Sequence, residues 1–273
     1  MRLPGRIFDL FGDDAVWSDD HEGVSGETLR VTSPAGVHYV KQGPTARREH
    51  ERLLWLKRWL SVPDVVAFDD DALVLADAGW RSLEHRPPPH AGATMGRVLR
   101  ALHDIPVREC PFDERLDVRL ARARERVDAG LVDPADFDDD HAGLSPEQVY
   151  ERLVAERPAS EDLVVTHGDF TPSNVLSPPL PAPARSGPPA GEPSLDASSP
   201  GPHAAPPPGP GSRVCEPVLV DVGALGVADR YVDLAIALRD LEGPAAEDFL
   251  AAYGLPEPDP RRLDYYRLMD ELF

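Results

Sequence analysis

His167-Gly168-Asp169-Phe170-Thr171-Pro172-Ser173-Asn174 stands past the middle of the chain, and Val218-Leu219-Val220-Asp221-Val222-Gly223 follows a long Pro-rich interruption. Each stretch sets an acid or an amide beside a short apolar run, so its polar side chains fall at the edge of a strand. Two carboxylates and one amide suit phosphoryl transfer from a nucleotide–metal complex. In that chemistry one Asp accepts the proton of an attacking hydroxyl. An Asn and a second Asp hold the metal ions that bridge the phosphates.

A cation is needed as well. Lys41 and Lys57 are the only lysines, every other basic side chain being Arg. A compact ammonium kept at the end of Val37-His38-Tyr39-Val40 marks a position where a guanidinium is no substitute, as at a phosphate. The 28 basic residues face 48 acidic ones, giving a net charge of −20. That balance disfavours nucleic acid, whose phosphates are repelled, and weakly favours a cationic small molecule. No run reaches the ~20 apolar residues of a membrane span, and Met1-Arg2-Leu3-Pro4-Gly5 lacks a signal-peptide core. Cys110 and Cys215 read as reduced thiols, so the expectation is a cytoplasmic protein with no membrane partner.

The elements that must position these groups fall into two parts. Residues 1–78 read as mainly β with one helix: a strand–turn–strand over 22–31, then strands at 37–40, 65–68 and 72–76. A helix over 47–60 puts Glu49, Leu53, Leu56 and Leu60 on one face and Glu51 on the other. Asp77-Ala78-Gly79 is a connector, and residues 79–273 turn mostly helical. Helices are expected over 95–103, 116–129 (dense in Arg and Glu), 146–156 (capped by Ser145), 229–241 and 261–272. Short strands are expected at 163–165, 175–176 and 218–220. Residues 177–214 are dominated by Pro, Ala, Gly and Ser and are expected to be disordered. They would leave from the tip of a hairpin whose far end carries Asn174 and Asp221, where an insertion costs little.

These residues resemble the aminoglycoside 3′-phosphotransferases. The resemblance rests on Leu102-His103 with Cys110-Pro111-Phe112, on Gly130-Leu131-Val132-Asp133 and on Asp162-Leu163-Val164-Val165-Thr166-His167-Gly168-Asp169. Gly226-Val227-Ala228-Asp229-Arg230-Tyr231, Asp233-Leu234-Ala235 and the final Asp270-Glu271-Leu272-Phe273 carry it further. It implies an α+β, bilobal, protein-kinase-like fold, with a small β-rich nucleotide-binding N-lobe (1–78) and a larger, mostly helical catalytic C-lobe (79–273). It also implies ATP-dependent O-phosphorylation of an aminoglycoside at the 3′-hydroxyl, and hence antibiotic resistance.

By this resemblance Asp169 is the catalytic carboxylate, and Asn174 and Asp221 are ligands of Mg²⁺, which favours oxygen donors. Lys41 contacts the α/β-phosphates of ATP and Glu49 pairs with it, with Glu51 as the rival. Ser25, in Glu22-Gly23-Val24-Ser25-Gly26, meets a phosphate, and residues 75–78 hold the adenine. His167 scaffolds its loop rather than acting as the base. For the cationic acceptor the resemblance implies Asp138 and Asp139, Asp270, Glu271 and the carboxylate of Phe273, with Arg239 ordering those acids. The run at 138–140 also reads as a solvated loop.

One departure weakens the likeness. The family typically reads Asp-x-Gly-Arg after the metal-binding Asp, and here the sequence is Asp221-Val222-Gly223-Ala224. Losing a cation beside the transferring phosphoryl group costs rate. A related kinase for another amino-sugar or alcohol, and a nucleotide-binding protein with little catalysis, therefore stand as alternatives. The oligomer is expected to be a monomer or weak homodimer.

Overall fold

A computed structural model of the chain describes residues 4–19, 28–85, 90–178 and 216–273. The region of Ser25 and nearly all of the Pro-rich insertion lie outside the described residues.

The N-terminal part comprises α1 (Gly5–Asp9), β1 (Val16–Ser18), β2 (Thr28–Ser33), β3 (Gly36–Gln42), α2 (Pro44–Leu56), β4 (Val65–Asp69) and β5 (Ala72–Ala76). Its five strands form an antiparallel sheet in the order β1-β2-β3-β5-β4. Alternation decides what each face does. Val31, Val40, Ala72 and Val74 turn to one side and close a small core with Ile7 and Phe11. Lys41, in register with Thr28 and Leu73, turns to the other side with Tyr39. Asp70 and Asp71 both adopt positive φ, 44° and 60°, between β4 and β5. That is the geometry of a two-residue hairpin turn matched to strand twist.

Helix α2 starts at Pro44 rather than at residue 47. Proline suits the first helical position, where the missing N–H is not needed. Glu49, Leu53 and Leu56 lie on its buried face, whereas Glu51 is exposed.

The C-terminal part is helical with short strands: β6 (Arg81–Ser82), α3 (Ala91–His103), α4 (Leu116–Asp128), α5 (Pro146–Ala155), β7 (Leu163–Thr166), β8 (Val175–Ser177), β9 (Val218–Leu219), β10 (Gly226–Asp229), α6 (Tyr231–Asp240), α7 (Gly243–Tyr253) and α8 (Pro260–Asp270). The result is an α+β fold with an N-terminal antiparallel sheet and a helical remainder. Ser145 caps α5 in a reciprocal capping box with Gln148.

Five elements escaped the sequence reading: α1, β1, β6, β10 and α7. Residues 226–229 form β10, which pairs antiparallel with β7, so the following helix starts at Tyr231 and not at 229. Helix α7 packs on α3, and the close approach is possible because Gly92 and Gly96 lack side chains there. The main core joins both parts: Leu53, Leu56, Leu73 and Leu75 from the N-terminal part cluster with Met95, Leu99 and Leu102 of α3.

Gly96 offers a test of that packing. A methyl group added there would meet the Phe249 carbonyl and approach Ala252 Cβ at 2.9 Å. Gly→Ala in an open helix stabilises by about 1 kcal/mol, but overpacking costs about 1–3 kcal/mol. Gly96→Ala is expected to lower the urea midpoint despite its better propensity; a raised midpoint would show that α3 and α7 can separate freely.

Candidate active site

The 166–174 loop is held open by its backbone. The Asp233 carboxylate, fully buried in α6, accepts the His167 N–H at 2.7 Å and the Gly168 N–H at 2.8 Å. His103 Nε2 of α3 lies 3.0 Å from the same carboxylate, and His103 Nδ1 lies 2.8 Å from the Tyr253 hydroxyl. Burial alone would raise the Asp233 carboxyl, but His103, His167 and the loop N–H hold it below the usual carboxylate range.

Gly168 sits at φ +89°, and a Cβ on it would lie 2.5 Å from the Ala224 carbonyl and 2.7 Å from its Cβ. The position therefore requires glycine twice over, for conformation and for space. His167 ties this loop to the next strand. Its Nε2 donates to the Val220 carbonyl at 3.0 Å, so Nδ1 is left to accept the Asp169 N–H at 3.3 Å.

The β8–β9 hairpin, with Val175 opposite Leu219, fixes the rest. One step beyond that pair, Val220 N–H donates to the Asn174 carbonyl at 3.1 Å, so Asp221 follows directly beside Asn174. Asp221 adopts the left-handed conformation (φ 56°, ψ 47°) and swings away from the strand line. Asn174 Nδ2 donates to the Asp169 carboxylate at 3.0 Å and to its backbone oxygen at 2.9 Å. With its nitrogen committed, the Asn174 amide has its oxygen to offer to a cation. Burial pushes the Asp169 carboxyl above its ordinary value, against the pull of His167 and Asn174.

Lys41 closes the arrangement from the sheet. Its Nζ lies 2.7 Å from Glu49 Oε2 and 3.2 Å from Asp221 Oδ1. Burial works against the charge, but the two carboxylates hold the ammonium above the ordinary lysine range. The structure thus gathers Lys41, Glu49, Asp169, Asn174 and Asp221 at one spot.

Two cavities of about 470 Å³ each meet there. The first runs from Lys41 and Asn174 past Tyr39 and Leu75 to Trp80 along residues 76–78, giving apolar and aromatic walls beyond a charged end. The second lies on the other side of Asp169, between α2, α4 and the end of α8, and reaches Asp270 and Phe273.

The acids expected to meet an acceptor are divided. Asp270 lines the second cavity and receives Arg239 Nη1 at 2.5 Å; burial pushes its carboxyl up, against that arginine and Arg119. Glu271 is spent on the fold: it lies 2.6 Å from His141 Nδ1 and accepts the Asp138 N–H at 3.1 Å. Asp138 is half-buried and Asp139 exposed, and neither lines either cavity. Glu271 nevertheless ties their loop to the end of α8, one residue from Asp270. The Phe273 ring lies under Arg119, 4.9 Å away, and its carboxylate accepts from Arg126 at 2.9 Å.

Among the described residues, no three His, Cys, Asp or Glu side chains gather as a metal cage. Two oxygen donors, Asn174 and Asp221, fit Mg²⁺, which is commonly held by one or two protein oxygens with phosphates and water completing its shell. Sequence reasoning missed Asp233, His103 and Tyr39 as parts of the site. An acid in an otherwise apolar stretch, Val232-Asp233-Leu234-Ala235-Ile236, was the signal for the first, because a buried carboxylate needs partners.

A family model for the phosphotransferase enzyme family matches residues 17–181. An aminoglycoside 3′-phosphotransferase of Streptomyces fradiae is 37% identical, over 94% of this chain and 95% of the relative. The crystal structure of an aminoglycoside 3′-phosphotransferase of type VIII superposes with a TM-score of 0.78 at 30% identity, covering 98% of this chain and 97% of that one. An aminoglycoside phosphotransferase of Streptomyces rimosus, solved with ADP and streptomycin, gives 0.68 at 22% identity over 96% and 94%, a likeness of fold alone.

Asp233→Asn tests the loop anchor. It exchanges a carboxylate oxygen for an N–H facing backbone N–H groups, at a cost of about 3 kcal/mol near neutrality. The carboxylate's folded value is depressed, so its contribution is full above the unfolded value of about 3.9 and fades as pH falls through the folded one. Denaturant midpoints for wild type and variant should converge as pH drops below about 4. A gap independent of pH would place the anchor elsewhere.

Proposed function

The chain belongs to the aminoglycoside 3′-phosphotransferase family of phosphotransferase enzymes, and on that premise we propose that it transfers the γ-phosphoryl group of ATP to the 3′-hydroxyl of a kanamycin-like aminoglycoside. The observation that carries this reading is the Asn174 bridge to Asp169 beside the Lys41 bridge from Glu49 to Asp221. It sets three carboxylates, an amide and an ammonium at one point between two cavities, the groups this chemistry needs.

In this reading the adenine occupies the first cavity against Tyr39 and Leu75, with residues 76–78 offering backbone groups to its edge. Lys41 meets the α/β-phosphates and Glu49 holds it there. Asn174 and Asp221 hold Mg²⁺, which screens the phosphate charge when bound. Asp169 orients the acceptor hydroxyl and takes its proton late, so positioning supplies most of the acceleration. Asp270, ordered by Arg239, faces an ammonium group of the acceptor, and Glu271 ties the loop of Asp138 and Asp139 to the same end of α8. Phosphorylation removes a hydroxyl donor from the drug and so confers resistance. No helix among the described residues is long and apolar enough to cross a membrane.

The purified protein is expected to release ADP from ATP–Mg²⁺ in a kanamycin-dependent way and to yield kanamycin phosphorylated at the 3′ position. Asp169→Asn should cut that turnover by about 10²-fold or more while leaving ATP binding within a few fold. A folded, ATP-binding sample without kanamycin-dependent turnover would instead favour a nucleotide-binding protein with little catalysis, the reading that Ala224 raises.

A further inference from the structure

The second cavity carries a charge pattern that a polycationic acceptor does not explain. Its lining holds five basic side chains, Lys41, Arg48, Arg119, Arg122 and Arg126, beside four acids, Glu49, Asp169, Asp221 and Asp270, and the carboxylate of Phe273. Four of the five cations are arginines crowded on one wall, in a chain of net charge −20. Arg119, Arg122 and Arg126 recur at i, i+3 and i+7 on α4, so they form one stripe facing the cleft, and Arg48 joins them from α2.

Arg48 and Arg122 are only partly neutralised. Glu114, fully buried, is shared by Arg48 at 3.0 Å, Arg52 at 3.1 Å and Arg122 at 2.9 Å, three guanidinium groups on one carboxylate. Arg126 is committed to the Leu272 carbonyl and the Phe273 carboxylate. Arg119 is different. It is 3% exposed, its Nε has no hydrogen-bond partner, and its guanidinium lies over the Phe273 ring. Glu114 and Asp270 act on its charge, but the unpartnered Nε of a buried guanidinium is costly unless a further acceptor completes it.

The position of the stripe says what that anion is. Gly168, Asp169 and Ala224 line the same cavity as the arginines. Glu114 packs beside Gly226, where a Cβ would lie 2.5 Å from its Cγ, and Arg52 Nε donates to the Leu225 carbonyl at 2.7 Å. The arginine cluster is therefore braced against the segment that carries Ala224, the residue that has no charge to offer. Resting on the phosphotransferase reading above, we infer that Arg119 and Arg122, with Arg48, form an oxyanion site on the acceptor side of Asp169 that holds the phosphoryl group during transfer and supplies the cation missing at Ala224.

During the step the acceptor oxygen bonds to the γ-phosphorus as the bond to the β,γ-bridging oxygen breaks. The electron pair leaves on ADP, and the hydroxyl proton passes to Asp169. Charge then rests on the three equatorial phosphoryl oxygens, where guanidinium donors stabilise it most. The cleft is thereby divided: arginines on the α2–α4 wall take the phosphoryl group, and Asp270 on the α8 wall takes an ammonium.

Four substitutions and two readouts test this. In the intact nucleotide-free protein, inorganic phosphate binding is followed by calorimetry. In the complete reaction, kcat is separated from the KM values for ATP and kanamycin. Arg122→Gln is expected to weaken phosphate binding at least tenfold and to lower kcat about 10–100-fold, with both KM values within about threefold. Arg119→Lys keeps the charge and is expected to lose less than Arg119→Met. Ala224→Arg should restore most of the kcat lost in Arg122→Gln, because the two cations serve one group. Folded Arg122→Gln with unchanged phosphate affinity and kcat would overturn the assignment, as would a loss confined to the kanamycin KM. Absence of kanamycin turnover in the wild type would count against the enzyme reading instead, and the phosphate titration would still judge the oxyanion site.

Discussion

One ammonium group holds the two halves of the cleft in register. Lys41 projects from the middle of the sheet, Glu49 from the helix beside it, and Asp221 from the far side of the chain's long interruption, 180 residues from Lys41. Each carboxylate is close enough to Nζ that removing the lysine leaves Glu49 buried without a counter-charge, an arrangement that costs several kcal/mol. Asp221 is the more exposed of the two, with 44% of its side chain accessible. It is thus the partner that can exchange the lysine for another cation without unfolding anything.

The rest of the site is built to keep Asp169 and Asn174 beside that ammonium. Asp233 fixes the backbone of His167 and Gly168 from below, and His167 reaches across to Val220, so the loop of Asp169 and the loop of Asp221 share one hydrogen-bonded frame. His103 and Tyr253 complete the Asp233 site from α3 and α7, which is why the glycine-lined contact between those helices matters to a loop it never touches. The same division of labour holds at the acceptor end. Glu271 holds the 138–141 segment in place, leaving Asp270 and the arginines of α4 to face the cavity.

Much of this was legible in the residues. The ammonium kept at the end of a short strand marked Lys41, and the helical period chose Glu49 over Glu51, because both follow from local features that a sequence states directly. Hairpin logic likewise brought Asn174 and Asp221 together across an interruption whose own residues lie mostly outside the described structure. What escaped notice depends on partners distant in sequence. Asp233 looks like an acid in an apolar helix until two N–H groups 65 residues away are seen to need it. The arginines of α4 read only as a helix dense in Arg and Glu until α2 and the 223–224 segment are seen to line one cavity with them. Strand β10 and helix α7 were missed for a related reason: Gly226–Asp229 is too short to show a period, and Ala-rich α7 gains its place from the glycines of α3.

The claim that a point-charge ammonium organises the cleft is tested most directly by Lys41→Arg, which keeps the charge but replaces its geometry. ATP-dependent phosphorylation of kanamycin by this variant, compared with wild type at matched folding by thermal melting, is the measurement. The account predicts a melting temperature within a few degrees and a fall in kcat/KM of about 10²-fold or more, since a planar fork cannot touch Glu49, Asp221 and a phosphate at once. Wild-type turnover in the folded variant would contradict it.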